Sequence, residues 1–510
     1  MTKANKATMM AISLEQFARP DQSSSMLLGH DLKTLRVPVT WTTMKTSKTV
    51  LKALFAGADG TDTSTSAEYD DYGLRRLVQD LASIATRHTA FVPEQLRDVL
   101  ADDDDFECGD SAFGPNIYNQ DYWGGGRKTT TPPPPLSGQR QGQGHGEEDI
   151  DDNNNTMILQ ELNQLRDIIN NTVRCQDLGR SEAAWNDKVH SRMLDLGTKL
   201  VEESVQAENI TRAKIAGPFI PDGPASILSS SGAASAFCGV VDGTGVGGSS
   251  FSSSAIPAKL VDYALALQFS DPENSLSRRL VQFVATQSRK ASSAIASSSR
   301  ATRPSQQPPL LQPSGSGDPI ISSSSAGDGT GAASLPTFHM FNQTPYRPLV
   351  YAPAGVFIET KVEGGSLDEG RLQLGLWVSA WFKRVSMFGG LVSDAPQAGG
   401  QVGGQGSSLP LPIIPLALVK SDAWEVFFAR QSSTLLSYSS SSTSFARARA
   451  RAQAQAREDE PRIDIIGPLK IGGTGDLASA YQLLLALRRL SFWVQDRSGF
   501  CGWVEQVVGM

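Results

Sequence analysis

An acid in one apolar strand and a Glu-x-Lys triplet in another are the residues of this chain best suited to chemistry. Asp262 lies in the apolar run 260–265, and Glu359 and Lys361 lie in a second run that begins at residue 355. Strand alternation predicts that Glu359 and Lys361 share one face while Thr360 lies on the other. Two carboxylates can share a Mg²⁺ ion while a lysine steadies an attacking water or a phosphate. The pattern therefore predicts a metal-dependent phosphodiesterase site.

A Glu-x-Lys triplet is a weak signal by itself, because a chain of this length contains about one by chance. An ion pair on an exposed edge strand would give the same triplet. The apolar residues 356–358 just before Glu359 favour a buried strand instead. Asp262 on a second apolar strand strengthens the prediction of a site.

Composition predicts one substantial domain with long polar insertions. The chain has 510 residues, enough for two or three domains, but only 39% are hydrophobic and several stretches are rich in Ser, Gly, Pro and Gln. A net charge of −7 provides no global basic field, so contact with nucleic acid would need a local cationic patch. This acidic balance does not argue against a metal nuclease, whose site is itself acidic.

The cysteines and the apolar runs narrow the class of protein. The four cysteines contain no Cys-x-x-Cys pair, so a zinc ribbon is unsupported and free thiols are expected. The polar residues 1–10 do not resemble a secretion signal, and no apolar run approaches the roughly 18 residues of a membrane span. An intracellular protein is expected, with the nucleus suggested only by the substrate class. The oligomeric state stays open.

Periodicity predicts alternating helices and strands, typical of an α/β or α+β domain. Helical spacing marks the segments 72–100, 157–169, 181–205, 275–286, 367–385 and 476–495, and within the first of them Val92-Pro93-Glu94 opens a second helix. Apolar runs predict strands at 210–220, 258–269, 355–360, 413–419, 424–429 and 463–466, with 413–429 as a hairpin.

The expected domain boundaries follow the changes in composition. We expect a weakly ordered segment 1–70, a helical extension 71–101, a low-complexity linker 102–156 and a domain 157–505. Disordered insertions are expected within that domain at about 221–255, 288–334, 389–408 and 432–460. Such insertions at loop tips leave a core intact, so Asp262 and Glu359 are expected on neighbouring strands.

Several motifs resemble the PD-(D/E)XK nuclease-like domain found in many fungal hypothetical proteins, over roughly residues 160–500. The motifs are Glu182-x-x-Trp185-x-x-x-Val189-His190, Lys259-Leu260-Val261-Asp262-Tyr263, Asn342-Gln343-Thr344, Ile358-Glu359-Thr360-Lys361 and Gly370-Arg371-Leu372-Gln373. The resemblance implies a restriction-endonuclease-like core, a mixed β-sheet flanked by helices. It also implies a Mg²⁺ or Mn²⁺ cofactor and a nucleic-acid substrate, DNA or RNA. One departure is visible: Val261 stands where the full motif has proline.

The resemblance also implies the roles of individual residues. Asp262 and Glu359 would be the metal-binding acids and Lys361 the catalytic lysine, with Glu182 and Gln373 assisting. Glu182 could instead only stabilise a helix N-terminus, and Gln373 could only cover the sheet edge. His190 fits a packed histidine better than a metal ligand.

Two alternatives to an active nuclease stay open. One is a nuclease-like module that no longer cuts and that binds nucleic acid or protein. The other is a structural scaffold whose buried acids have compensating partners. The arginines at 447, 449, 451 and 457 could contact a phosphate backbone, but a solvated flexible insert explains them better.

Overall fold

Buried apolar strands build a mixed sheet at the centre of the fold. The computed structural model describes residues 38–55, 73–87, 90–101, 103, 106, 108–114, 148–221, 260–269, 274–301, 339–390, 411–432 and 462–509. The strands there are β1 Val39–Thr43, β2 Val92–Pro93, β3 Phe113–Gly114, β4 Val205–Asn209, β5 Tyr263–Leu267, β6 Ala354–Lys361, β7 Ile414–Lys420, β8 Ala423–Ser432 and β9 Arg462–Gly473.

The central sheet has seven strands in the described residues, in the order β1-β9-β8-β7-β6-β5-β4. The pairs β1–β9 and β6–β7 are parallel, and the other neighbours are antiparallel. Strands β5 and β6 are buried along their whole length, as a strand covered on both faces must be. Strands β2 and β3 form a separate small pair.

Helices lie on both faces of this sheet. They are α1 Ser47–Leu54, α2 Leu74–Ala85, α3 Arg97–Leu100, α4 Glu148–Asp177, α5 Glu182–Trp185, α6 Ser191–Thr198, α7 Ser275–Ala301, α8 Leu367–Gly390, α9 Leu477–Gln495 and α10 Phe500–Gly509. A π-helical segment, Asn186–His190, joins α5 to α6. Helix α8 packs on β6 and β7, whereas α9 packs on β9, α2 and α6. None of the described helices combines the length and the apolarity that a membrane span requires.

The predicted fold class is confirmed, and several element predictions are confirmed with it. The predicted hairpin is β7–β8, with Ser421 and Asp422 in its turn. Helix α9 begins where Asp476 caps it, because the Asp476 carboxylate accepts the N–H of Ser479 at 2.8 Å. Strands β5 and β6 are antiparallel neighbours, so the chain positions of Asp262 and Glu359 are adjacent in the sheet.

Other element predictions are wrong in position or length. The strand predicted at 210–220 is not formed: residues 217–219 make a 3₁₀ turn that begins with Gly217 and Pro218, and strand β4 lies before this stretch, at Val205–Asn209. Helix α7 continues to Ala301, and α4 begins at Glu148. These helices extend into stretches that composition had predicted to be an insertion and a linker. Strand β9 is longer than predicted, and α10 follows the helix expected to close the chain.

Part of the segment expected to be weakly ordered belongs to the central sheet. Strand β1 pairs with β9, and Val39 is buried. The segment lacks a long apolar run, which is why composition did not reveal this strand. The predicted insertions lie outside the described residues, apart from residue 221 and the ends that continue α7, α8 and β8. The domain boundaries themselves stay a prediction.

Candidate active site

Strand β6 carries Glu359 and Lys361 on the face that helix α8 covers. The Lys361 Nζ lies 2.5 Å from the Glu359 Oε1 and is its hydrogen-bond donor. Gly370 allows α8 to approach this pair closely. A Cβ atom at Gly370 would lie 3.5 Å from Lys361 Cγ, 3.6 Å from Glu359 Cγ and 2.7 Å from Leu418 Cδ1.

Lys361 is a buried cation surrounded by carboxylates. Only 7% of its side chain is exposed, and the Glu182 Oε2 at the start of α5 lies 3.9 Å from its Nζ. Burial works to lower the pKa of Lys361, but the charges of Glu359, Glu182 and Glu369 outweigh it and raise that pKa above its usual value. Lys361 is therefore an ammonium ion at neutral pH, suited to stabilising negative charge rather than to accepting a proton.

Asp262 flanks Glu359 from the position just before the neighbouring strand β5. Its backbone N–H donates to the Ile358 carbonyl at 3.1 Å, and its Oδ2 accepts the Thr360 N–H at 3.0 Å. The Thr360 hydroxyl lies 2.7 Å from the same oxygen. Asn186 donates its Nδ2 to the Asp262 Oδ1 at 3.3 Å. Both oxygens of this fully buried carboxylate therefore have protein donors.

Gln373 lies one helical turn after Glu369 on α8. Its Nε2 is 3.4 Å from the Glu369 Oε1, a long hydrogen bond. Its Oε1 is buried and has no hydrogen-bond partner among the described residues. Gln373 thus contacts Glu369, one of the carboxylates that raise the pKa of Lys361.

The structure brings the five residues singled out from the sequence to one end of β6, but in two groups. Glu359, Lys361 and Glu182 are in contact or ion-pair range, with Gln373 next to Glu369. Asp262 bonds instead with Asn186 and Thr360. The roles of all five stay a prediction.

Sequence reasoning missed the partners of Asp262. Asn186 and His190 are four positions apart on one helical segment, and that spacing is their only sequence signal. The His190 Nδ1 lies 2.9 Å from the Asn186 Oδ1, and its Nε2 lies 2.8 Å from the Ser421 carbonyl. Burial lowers the pKa of His190 to about 4, so the ring is neutral near pH 7. His190 is thus a packed histidine, as its sequence context favoured, but it belongs to this network.

The donors fit a hard divalent cation in kind. Carboxylate oxygens are the ligands Mg²⁺ and Mn²⁺ prefer, and Asp262 and Glu359 provide them from adjacent strand positions. The partnerless Gln373 Oε1 is a further buried oxygen on α8. The described residues do not, however, contain a group of three or more Asp, Glu, His or Cys side chains placed to hold a metal. Any ion here would need donors beyond such a cluster, such as water or backbone carbonyls.

Comparison with known families supports the site's context. The profile of the PD-(D/E)XK nuclease superfamily matches residues 136–312 and 318–497, more than half of the chain. The match includes all five candidate residues and the strands β5 and β6. No curated protein and no solved structure matches the chain. On the family match, this chain belongs to the PD-(D/E)XK nuclease superfamily.

Proposed function

We propose that this protein is a divalent-metal-dependent nuclease that hydrolyses phosphodiester bonds of DNA or RNA. The observation that carries the proposal is the buried Glu359–Lys361 ion pair on β6, with Asp262 flanking it from the position just before β5. Buried charges are costly, and an apolar strand pair retains them where they serve a site. Membership of the superfamily supports phosphodiester hydrolysis as the reaction class.

Asp262 and Glu359 would hold the ion, which when bound supplies Lewis-acid activation of the phosphate and of a water. Hydrolysis adds water at phosphorus, breaks one P–O bond and builds negative charge on the phosphoryl oxygens. The Lys361 ammonium would stabilise that charge, because its raised pKa keeps it protonated at neutral pH. Glu182 and Glu369 would keep Lys361 charged, and Gln373 would hold Glu369 in place.

The test is cleavage of labelled single- and double-stranded DNA and RNA by the purified full chain, with and without Mg²⁺ or Mn²⁺. Metal-dependent cleavage is expected to fall about 100-fold or more in Lys361→Ala, which removes the cation that stabilises the developing charge, and in Asp262→Ala, which removes a ligand of the ion. Lys383→Ala is the matched control. Lys383 is also partly buried, but its Nζ bonds the Ile220 carbonyl instead of this site. An equal loss of cleavage in Lys383→Ala would show that the loss in the site variants comes from reduced stability of the fold.

A second candidate is a nuclease-like module that binds nucleic acid without cutting it. It is favoured by the fact that both acids have protein partners: Lys361 pairs with Glu359, and Asn186 and Thr360 bond Asp262. Buried charges with such partners need no metal to be tolerated. Nucleic-acid binding without cleavage of any of the four substrates, with either metal, would favour this module over the nuclease.

A further inference from the structure

A buried set of polar side chains hydrogen-bonds the Asp262 carboxylate. Asn186 bonds one of its oxygens and Thr360 the other, and the Thr360 hydroxyl also lies 2.8 Å from the Asn186 Oδ1. Asn186 is 6% exposed, and Thr360 and Asp262 are fully buried. A carboxylate with donors on both oxygens cannot rotate freely, so its direction is fixed before any ligand arrives.

The π-helical segment Asn186–His190 places Asn186 beside Asp262 and Tyr263, at the start of β5. The Ser191 N–H donates to the Asn186 carbonyl, the five-residue spacing of a π turn. The hydroxyl of Tyr263 donates to the same carbonyl at 3.0 Å. Tyr263 directly follows Asp262, so Asn186 contacts two successive residues, one with its backbone and one with its amide. Single π turns inside α-helices are frequent at functional sites.

His190 connects the side chains that bond Asp262 to the backbone of Lys361. Its two ring nitrogens contact the Asn186 Oδ1 and the Ser421 carbonyl. The Ser421 N–H in turn donates to the Lys361 carbonyl at 2.7 Å. A neutral ring carries one N–H, so only one of the two ring contacts is a hydrogen bond in that state. The ring nevertheless fills the space between the Asp262 group and the β7–β8 turn.

We propose that Asn186 and His190 are positioning residues that set the direction of the Asp262 carboxylate for a divalent cation and couple it to the Lys361 backbone. This inference rests on the proposed metal-dependent nuclease function. Side chains that hydrogen-bond a ligating carboxylate tune metal affinity, and their loss typically costs about 10- to 100-fold. Thr360 contributes the third contact, with its hydroxyl.

The first measurement is Mn²⁺ binding by calorimetry, which does not depend on cleavage. Asn186→Ala and His190→Gln are expected to raise the Mn²⁺ dissociation constant about tenfold or more. In cleavage assays these variants should need more Mn²⁺ for half-maximal rate, yet recover most of the rate at saturating Mn²⁺. Thr198→Val is the control. Thr198 is a buried residue of α6 whose hydroxyl donates to carbonyls of its own helix.

A pair of milder variants keeps the inference testable if Asn186→Ala does not fold. Thr360→Val removes the hydroxyl that bonds Asp262, whereas Thr360→Ser keeps it. We expect Thr360→Val to weaken Mn²⁺ binding and Thr360→Ser to retain it. Variants that lower the melting temperature but leave Mn²⁺ affinity at the wild-type value would overturn the positioning role while the proposed function stands. A wild type that neither binds Mn²⁺ nor cleaves would overturn both.

Discussion

At the residue scale, the site is a balance of charges around the buried Lys361. Glu359 contacts it directly, and Glu182 and Glu369 act from α5 and α8. Removing one partner of a buried ion pair typically costs about 3–5 kcal/mol, because the other charge is left uncompensated. A loss of activity in a Lys361 variant therefore identifies a catalytic role only when the fold is shown to persist. Lys383 is also partly buried, so the Lys383→Ala control measures what the loss of such a lysine costs the fold.

His190 predicts how stability depends on pH. Burial lowers its pKa to about 4 from an ordinary value of 6.5, against the opposing effects of the Ser421 carbonyl and the Asp262 charge. The unfolded chain therefore binds a proton as the pH falls below 6.5 while the folded chain does not. The stabilising contribution is fully present above pH 6.5 and is lost as the pH falls toward 4, by about 3 kcal/mol in all.

Urea unfolding at pH 7.5 and pH 5 checks this expectation. From the same pKa values the wild type should lose about 2 kcal/mol between these pH values through His190. His190→Gln should lose less by that amount, because the carboxylates titrate alike in both proteins. An equal loss in the two proteins would show that the ring is protonated in the fold. His190 would then donate through both nitrogens at once.

Strand periodicity predicts part of the arrangement of side chains in the site. Alternation alone places Glu359 and Lys361 on one face, and the ion pair follows from that. The direction of the Asp262 side chain was not predictable, because it depends on contacts with Asn186, 76 positions away, and with Thr360, 98 positions away. A π turn also shifts the helical register by one residue, which leaves no mark in a hydrophobic period.

At the element scale, the edge strands β1 and β4 were the strands of the central sheet that the sequence did not predict. Strand β4 is largely polar and only partly buried, and β1 has one buried residue, Val39. Central strands such as β5 and β6 are apolar throughout and were readily predicted. Helix α10 was missed because its ten residues contain too few turns for a clear stripe.

Strand β1 links the N-terminal residues to the helix that covers the candidate site. The Trp41 ring packs edge-on against Phe427 at 5.0 Å, and the Arg371 guanidinium of α8 lies 5.9 Å above the Trp41 ring. Without β1, the edge of β9 would be exposed and Phe427 would lose its cover. Residues 38–43 are therefore expected to belong to the folding unit.

Two truncations test that expectation. A chain that begins at residue 46 is expected to lose about 3 kcal/mol of stability and to self-associate, since it loses Val39, Trp41 and the pairing with β9. A chain that begins at residue 38 keeps the strand and should unfold near the wild-type temperature. Thermal unfolding and size-exclusion chromatography compare them. Equal behaviour of the two chains would place β1 outside the stable domain.

At the scale of the whole molecule, the described elements form a superfamily core whose connections vary greatly in length. The family profile spans two stretches of the chain, 136–312 and 318–497, and several connections within them were predicted to be insertions. Loop closure becomes more costly only slowly with length, so a core can carry long polar connections at small cost. The connection between β8 and β9 shows this best, because both of its ends are fixed by strand pairing.

Replacing residues 433–461 with Asn-Gly is the corresponding test. Ser432 and Arg462 are Cα partners across the β8–β9 ladder, the spacing that a two-residue hairpin turn can close. Shortening 29 residues to two should stabilise the fold by roughly 2 kcal/mol, measured by chemical unfolding. If this connection serves only as a linker, nucleic-acid affinity stays at the wild-type value. Its arginines, 447, 449, 451 and 457, would otherwise be a phosphate contact, and the shortened chain would bind nucleic acid more weakly with a smaller salt dependence. Loss of the folded state would instead show that the β8–β9 pairing depends on the connection itself.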